Sequence, residues 1–253
     1  SQELAEEVFA LVEPFAGYAF NKAHSVSYGL ISYWTAYLKT HFTVEYMAAL
    51  LNSCIGNSDK IVGAVNECRR LKIQVKPPNI NYSQAQFSIE SSDEGFHSIR
   101  FGMSAIKNVG SSAIKPVIEG VSQSGPFNSI EQICRSVDIT SLNRKSLESL
   151  VKVGAFDDFG DRGALLSVID RILSLAQSEA KLKASNQTSM FDLFGESVPT
   201  PLASIELADS GTTSNDLREW ETELLGLVVS NNTPFSAIAY AGDSETIVFL
   251  NQF

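Results

Sequence analysis

The stretch from Gly102 to Ile118 (Gly-Met-Ser-Ala-Ile-Lys-Asn-Val-Gly-Ser-Ser-Ala-Ile-Lys-Pro-Val-Ile) constrains the fold more than any other. Apolar Met103 and Ile106 predict one short helix. Ala113, Val117 and Ile118 predict a second that opens near Gly110. Lys107, Asn108, Val109 and Gly110 must therefore turn tightly, and Asn and Gly tolerate a left-handed backbone. A helix opening at Gly110 presents unpaired N–H groups and the positive end of its dipole. Ser111 and Ser112 add hydroxyl donors there, and Lys107 and Lys115 flank them. Such a corner suits an anion, and phosphate is the common one.

This spacing resembles a helix-hairpin-helix motif, which grips a DNA backbone without reading bases. The motif's usual Gly-hydrophobic-Gly stands here as Asn108-Val109-Gly110. A side chain thus sits where a phosphate would approach. An ordinary helical corner with a glycine turn is the competing reading.

The net charge of −10 opposes general nucleic-acid binding, but it is unevenly spread. Residues 201–253 carry eight acids and one base, whereas residues 56–110 carry five acids and seven bases. No apolar run reaches about 18 residues, so no membrane span is expected. Cys54, Cys68 and Cys134 lack metal-ligand spacing, as do His24, His41 and His97, and a reducing, cytoplasmic setting is expected. The opening Ser1-Gln2-Glu3 reads as mid-protein sequence, so a fragment is expected.

Leu4, Val8, Leu11, Val12 and Phe15 recur at helical spacing, and Pro14 marks the end of that helix. A second, mostly apolar helix is expected from about Ser25 to Thr40 and a third from about Val44 to Asn52. Phe20-Asn21-Lys22-Ala23-His24, Tyr28, Ile31-Ser32-Tyr33, Thr35-Ala36-Tyr37-Leu38-Lys39 and Glu45-Tyr46-Met47-Ala48-Ala49-Leu50-Leu51 together resemble the fingers of the bacterial replicative polymerase, the DNA polymerase III alpha subunit (family C). The resemblance implies that Lys22 and His24 offer charge or donors to the phosphates of nucleotide or template, with Asn21 orienting them. Trp34 departs from the family's usual Gln. Without the resemblance, Asn21, Lys22 and His24 read as a capped, solvated helix start.

Ser58 or Asp59 is expected to cap a helix over about 60–71, followed by a basic patch of Arg69, Arg70, Lys72 and Lys76. Pro77-Pro78-Asn79-Ile80-Asn81 is an extended joint, similar to the family's Pro-Pro-Asp-Ile-Asn, with Asn79 for Asp. Phe87–Ile89 and Phe96–Phe101 alternate as a β-hairpin around residues 91–95. Another helix is expected after Gly125-Pro126. Leu142-Asn143-Arg144-Lys145-Ser146-Leu147-Glu148-Ser149-Leu150 and Gly154-Ala155-Phe156-Asp157 also resemble the family. Asn143, Arg144 and Lys145 open a helix there and would meet a second phosphate, or else lie solvated on the surface. Gly154 ends that helix.

One helix is expected over 162–184. Residues 185–216 read as a linker rich in Ser, Thr, Pro, Asn and Gly. Within it, Gln187-Thr188-Ser189-Met190-Phe191 resembles the sliding-clamp-binding peptide of bacterial replication proteins. Gln187 would bond at the pocket rim, while Met190 and Phe191 would fill an apolar cleft. Tucking onto the protein's own core is the alternative. A further helix over 216–226 leads to Ser230-Asn231-Asn232-Thr233-Pro234, which lacks the family's Gly and His. Thr246–Leu250 is a candidate first strand of an oligonucleotide-binding barrel.

The expected fold is mainly α: helical fingers (1–76), a tandem helix-hairpin-helix region with one small β-hairpin (77–160), a helix (161–184), a linker with the clamp motif (185–216) and a lead-in to the barrel (217–253). The resemblance implies template-directed DNA synthesis by the parent, with Mg²⁺ on palm carboxylates upstream and no cofactor or metal in this chain. The expected partners are duplex DNA backbone, the sliding clamp and other replisome subunits, with no membrane. Alone, the chain is expected to be inactive. A helix-hairpin-helix repair protein and a non-DNA helical scaffold are the rival readings.

Overall fold

The computed structural model describes residues 1–16, 21–91, 95–137, 142–184, 205–208 and 210–230. Among them are ten α-helices and one three-stranded sheet. The chain divides into two units, Ser1–Tyr46 and Met47–Phe253.

The first unit holds α1 (Gln2–Ala16), α2 (Lys22–His41) and the start of α3 (Thr43–Ser53). The Asn21 carboxamide caps α2 by accepting the His24 N–H at 3.0 Å. Along α2, Ser27, Ser32, Thr35 and Thr40 bond back to carbonyls three or four residues earlier. The remaining surface is aromatic and aliphatic, and no α2 side chain is buried.

The second unit carries the core. Met47 and Leu51 of α3 and Ile61, Val65 and Cys68 of α4 (Ser58–Arg70) are buried in it. The cap of α4 is Asn57, one residue before the expected Ser58 or Asp59, because its carboxamide reaches the Lys60 N–H. Strands β2 (Ser88–Ser91) and β3 (His97–Arg100) form the expected hairpin, pairing Ile89 with Ile99. A third strand, β1 (Val75–Lys76), was not expected. It runs parallel to β3, where Ile99 N–H finds Gln74 O and Phe101 N–H finds Lys76 O. Two residues are too few for an alternation to show in sequence.

The expected basic patch is largely spent on the fold. Arg70 pairs with Glu67 and Lys76 with Glu90, while Arg69 donates to Val228 O. Two asparagines staple distant backbone. Asn52 exchanges two hydrogen bonds with Phe87, and Asn81 does the same with Phe127. In the joint, Asn79 accepts from Asn81 N–H and donates to Asp158. The family's Asp at this position would face the Asp158 carboxylate, and the amide removes that repulsion. Gly102 lets two backbones meet: a Cβ there would lie 2.5 Å from Gln86 C and Phe87 N.

Helices α5 (Ser111–Ser124), α6 (Ile130–Ser136) and α7 (Arg144–Lys152) follow. The single helix expected over 162–184 is two, α8 (Arg162–Ser167) and α9 (Ile169–Ala184). Ser167 Oγ turns back onto Ala164 O, and β-branched Val168 sits at the break. Within the stretch expected as a linker (185–216), Ile205 N–H meets Glu131, and Ser210 and Thr212 bond Asp161, so its end is held by side-chain carboxylates of the fold. Helix α10 (Ser214–Leu225) then opens with a reciprocal Thr213–Asp216 cap and ends at left-handed Gly226. Residues 17–20, 92–94, the linker motif and everything after Ser230, including Thr246–Leu250, lie outside the described residues. Among the described residues no helix is long and apolar enough to cross a membrane.

Candidate nucleic-acid interface

β3 feeds the turn directly. The expected short helix is a single 3-10 turn, Met103–Ala105. Met103 and Ile106 bury completely beneath it, with Val109 and Ile114 beside them. These four side chains fix the corner from inside, each worth about 1.5–3 kcal/mol in burial. Lys107, Asn108, Gly110, Ser111 and Ser112 remain exposed, and Lys115 lies one turn into α5. Lys115 meets Glu119 only at 3.7 Å, with both side chains mostly solvated.

Asn108 takes the left-handed conformation, at φ 69°. Its carboxamide points away from the anion side and donates to Ser149 Oγ at 3.1 Å. Ser146 Oγ donates to Asn108 O at 2.7 Å. The side chain that stood in the way of a phosphate in the sequence reading is therefore folded onto α7. From the other flank, Lys107 N–H donates to Leu224 O of α10 at 3.1 Å.

The N-terminus of α5 has no side-chain cap, since Gly110 has none to give. The first two residues of the helix, Ser111 and Ser112, are exposed at its positive end, and Lys107 is exposed three residues before Gly110. What this arrangement can do chemically is hold an oxyanion by backbone donors, without reading a base.

The second expected contact lies beside the first, through Ser146 and Ser149. Its own groups are differently engaged. The Asn143 carboxamide caps α7 on Ser146 N–H. Arg144 binds Glu148 at 2.7 Å and also Asp170, and these carboxylates hold its guanidinium above the ordinary value. Lys145 is exposed. In the first unit, Lys22 and His24 are exposed in the opening turn of α2, and the His24 ring lies 4.3 Å from that of Tyr28. Gln187, Met190 and Phe191 are outside the described residues.

Sequence reasoning missed Ser146, Ser149 and Leu224 as supports of the turn. A signal existed for the serines: Ser146-x-x-Ser149 shares a helix face with Leu147 and Leu150, all four buried. Nothing local marks Leu224, more than 100 residues away.

Residues 72–165 match the helix-hairpin-helix motif family. The whole chain is 37% identical to DNA polymerase III subunit alpha of Thermus aquaticus, across 20% of that protein. Over 91% of the chain, identity is 39% to the Haemophilus influenzae subunit and 40% to that of Pasteurella multocida, again across 20% of each. The chain spans about a fifth of the length of these relatives, and it belongs to the DNA polymerase III subunit alpha family.

Proposed function

We propose that this chain is the part of a replicative DNA polymerase that grips product duplex and ties the enzyme to its sliding clamp, in the cytoplasm, among other replisome subunits. The observation that carries the duplex role is the uncapped start of α5, set between Lys107 and two exposed serines on a turn buttressed from both sides. Lys107, Gly110, Ser111 and Ser112 supply the backbone contact, and Lys115 and Lys145 add diffuse positive charge. Three or four phosphate contacts give a salt slope of about −3, so affinity is modest. Gln187, Met190 and Phe191 supply a second weak attachment, and tethering two weak sites raises apparent affinity through effective concentration. Asn21, Lys22 and His24 serve the phosphates of nucleotide or template.

The parent's nucleotidyl transfer needs Mg²⁺ on clustered carboxylates. Among the described residues no group of three or more His, Cys, Asp or Glu could hold a metal. The residues present do not fit that centre, so the chain alone is expected to give no metal-dependent primer extension.

One titration tests the reading: duplex binding by the chain at several salt concentrations, followed by calorimetry with a bacterial sliding clamp. The expected results are a log–log salt slope near −3 and weak clamp binding lost in Met190→Ala/Phe191→Ala. A folded sample whose duplex binding ignores salt overturns the duplex role. Clamp binding that survives the double substitution overturns the motif.

A further inference from the structure

Arg162 is 3% exposed and Glu221 not at all, an expensive placement for two charges unless every side-chain nitrogen and oxygen is met. They are met. Arg162 grips both Asp157 oxygens at 2.8 Å, the Lys152 carbonyl at 2.9 Å and Glu221 Oε1 at 2.9 Å. Glu221 Oε2 accepts the N–H groups of Val229 at 2.8 Å and Ser230 at 3.0 Å. The backbone at the end of α7 is shaped to admit the guanidinium: Gly154 sits at φ 83°, and a Cβ there would lie 2.2 Å from Arg162 Nη2.

Three residues along α10 from Glu221, on the same face, are Leu224 and then Leu225, both buried. The last four carbonyls of a helix have no partner within it. The Leu224 carbonyl, one of these, takes the Lys107 N–H at 3.1 Å. A helix rises about 1.5 Å per residue, and a hydrogen bond tolerates only a few tenths of an ångström. An axial slip of α10 by one residue would therefore break that bond. We infer that the buried Arg162–Glu221 pair positions the phosphate-binding turn, by locking α10 so that the Leu224 carbonyl holds the Lys107 amide. The pair touches no ligand itself. It makes the segment after the linker a structural partner of a turn more than 100 residues earlier. The inference rests on the duplex role proposed above.

Amide hydrogen exchange on the full chain, read residue by residue in Glu221→Gln without DNA, tests it. The Lys107 amide is expected to exchange at least about ten-fold faster, while amides of α3 and α4 keep their wild-type protection. Unchanged protection at Lys107, or a uniform rise along the chain, overturns it. Should Glu221→Gln not fold, Asp157→Asn loosens Arg162 from its more exposed partner, and the same two outcomes decide. With duplex, Glu221→Gln is expected to weaken binding about five-fold at unchanged salt slope, because geometry is lost and no phosphate contact is removed. Lys107→Gln should instead flatten the slope by about 0.9. A wild-type chain that ignores duplex would sink the proposed function and leave the exchange result to judge the coupling.

Discussion

Helices α5 and α7 both read, in sequence, as openings that meet phosphate, yet the fold treats them in opposite ways. At α7 the dipole end is already occupied: Asn143 caps it, and Arg144 lies between Glu148 and Asp170. Ser146 and Ser149 of the same helix point inward and hold Asn108. At α5 the cap residue offers no side-chain hydrogen bond, and the serines next to it are exposed. A side-chain cap and an anionic ligand satisfy the same orphan donors, so a helix start that supplies its own cap has little left to offer. On this view α7 is the buttress and α5 the contact.

The sharpest way to break that contrast is to give α5 a cap. Gly110 has an extended backbone, and a Cβ there would have only Ser112 Oγ near it, at 3.9 Å. Gly110→Asp therefore fits and should raise stability by a few tenths of a kcal/mol. Its carboxylate would fill the N–H groups and repel phosphate. Duplex affinity is expected to fall more than about ten-fold while the melting temperature holds, an opposition only a ligand site produces. Equal binding by the variant would return the corner to a structural role.

The turn itself comes next. Asn108→Ala keeps a Cβ at φ near 69° but loses the polar side chain that eases the left-handed conformation and bonds Ser149, at a combined cost of about 1–2 kcal/mol. Asn108→Gly takes that φ without a Cβ and loses only the side-chain bond, so chemical denaturation should rank it between Ala and wild type. Asn143→Ala should cost about 1 kcal/mol as a lost cap, leaving the salt slope of duplex binding alone.

Acid offers a smaller, titratable effect on the second unit, at the sheet that leads into the α5 turn. Burial pushes the Glu90 carboxyl up, but hydrogen bonds from Arg100 and Lys76 outweigh it and leave the pKa below its ordinary 4.5. A lowered folded pKa means stability that is full above the ordinary value and lost as pH falls through the lowered one. Melting temperature should thus drop on acidification below about pH 4.5, and the gap between wild type and Glu90→Gln should narrow over that window. Because β3 leads into the turn, amide protection at Phe101 should decline before that of α7.

Much of this was legible beforehand because it is local. Caps at Asn21 and Asn143, the left-handed Asn108 and the glycine end of α7 all follow from the preferences of single residues within a turn or two. The strands β2 and β3 announced themselves by alternation. What stayed hidden is long-range: Asn52 on Phe87, Asn81 on Phe127, Leu224 on Lys107 and Arg69 on Val228. Backbone groups carry no sequence identity, so their partners cannot be read from residue patterns. The break at Val168 belongs with them, since a β-branched residue is common inside unbroken helices. At the candidate site, the exposed donors were legible and their supports were not.

The smallest expected effect is the most discriminating. Arg144→Gln and Lys145→Gln remove the two cations that made α7 look like a second grip. Arg144 is exposed and paired with two carboxylates, so its loss frees Glu148 and Asp170 while removing a surface pair of little net worth. If α7 is only a buttress, either substitution leaves the salt slope within about 0.3 of wild type, where a lost phosphate contact would move it by about 0.9. A full step in slope for Arg144→Gln would mean that duplex displaces the carboxylates and that α7 is a second contact. Such a step for Lys145→Gln alone would instead make the neighbouring free cation the contact, with Arg144 kept for structure.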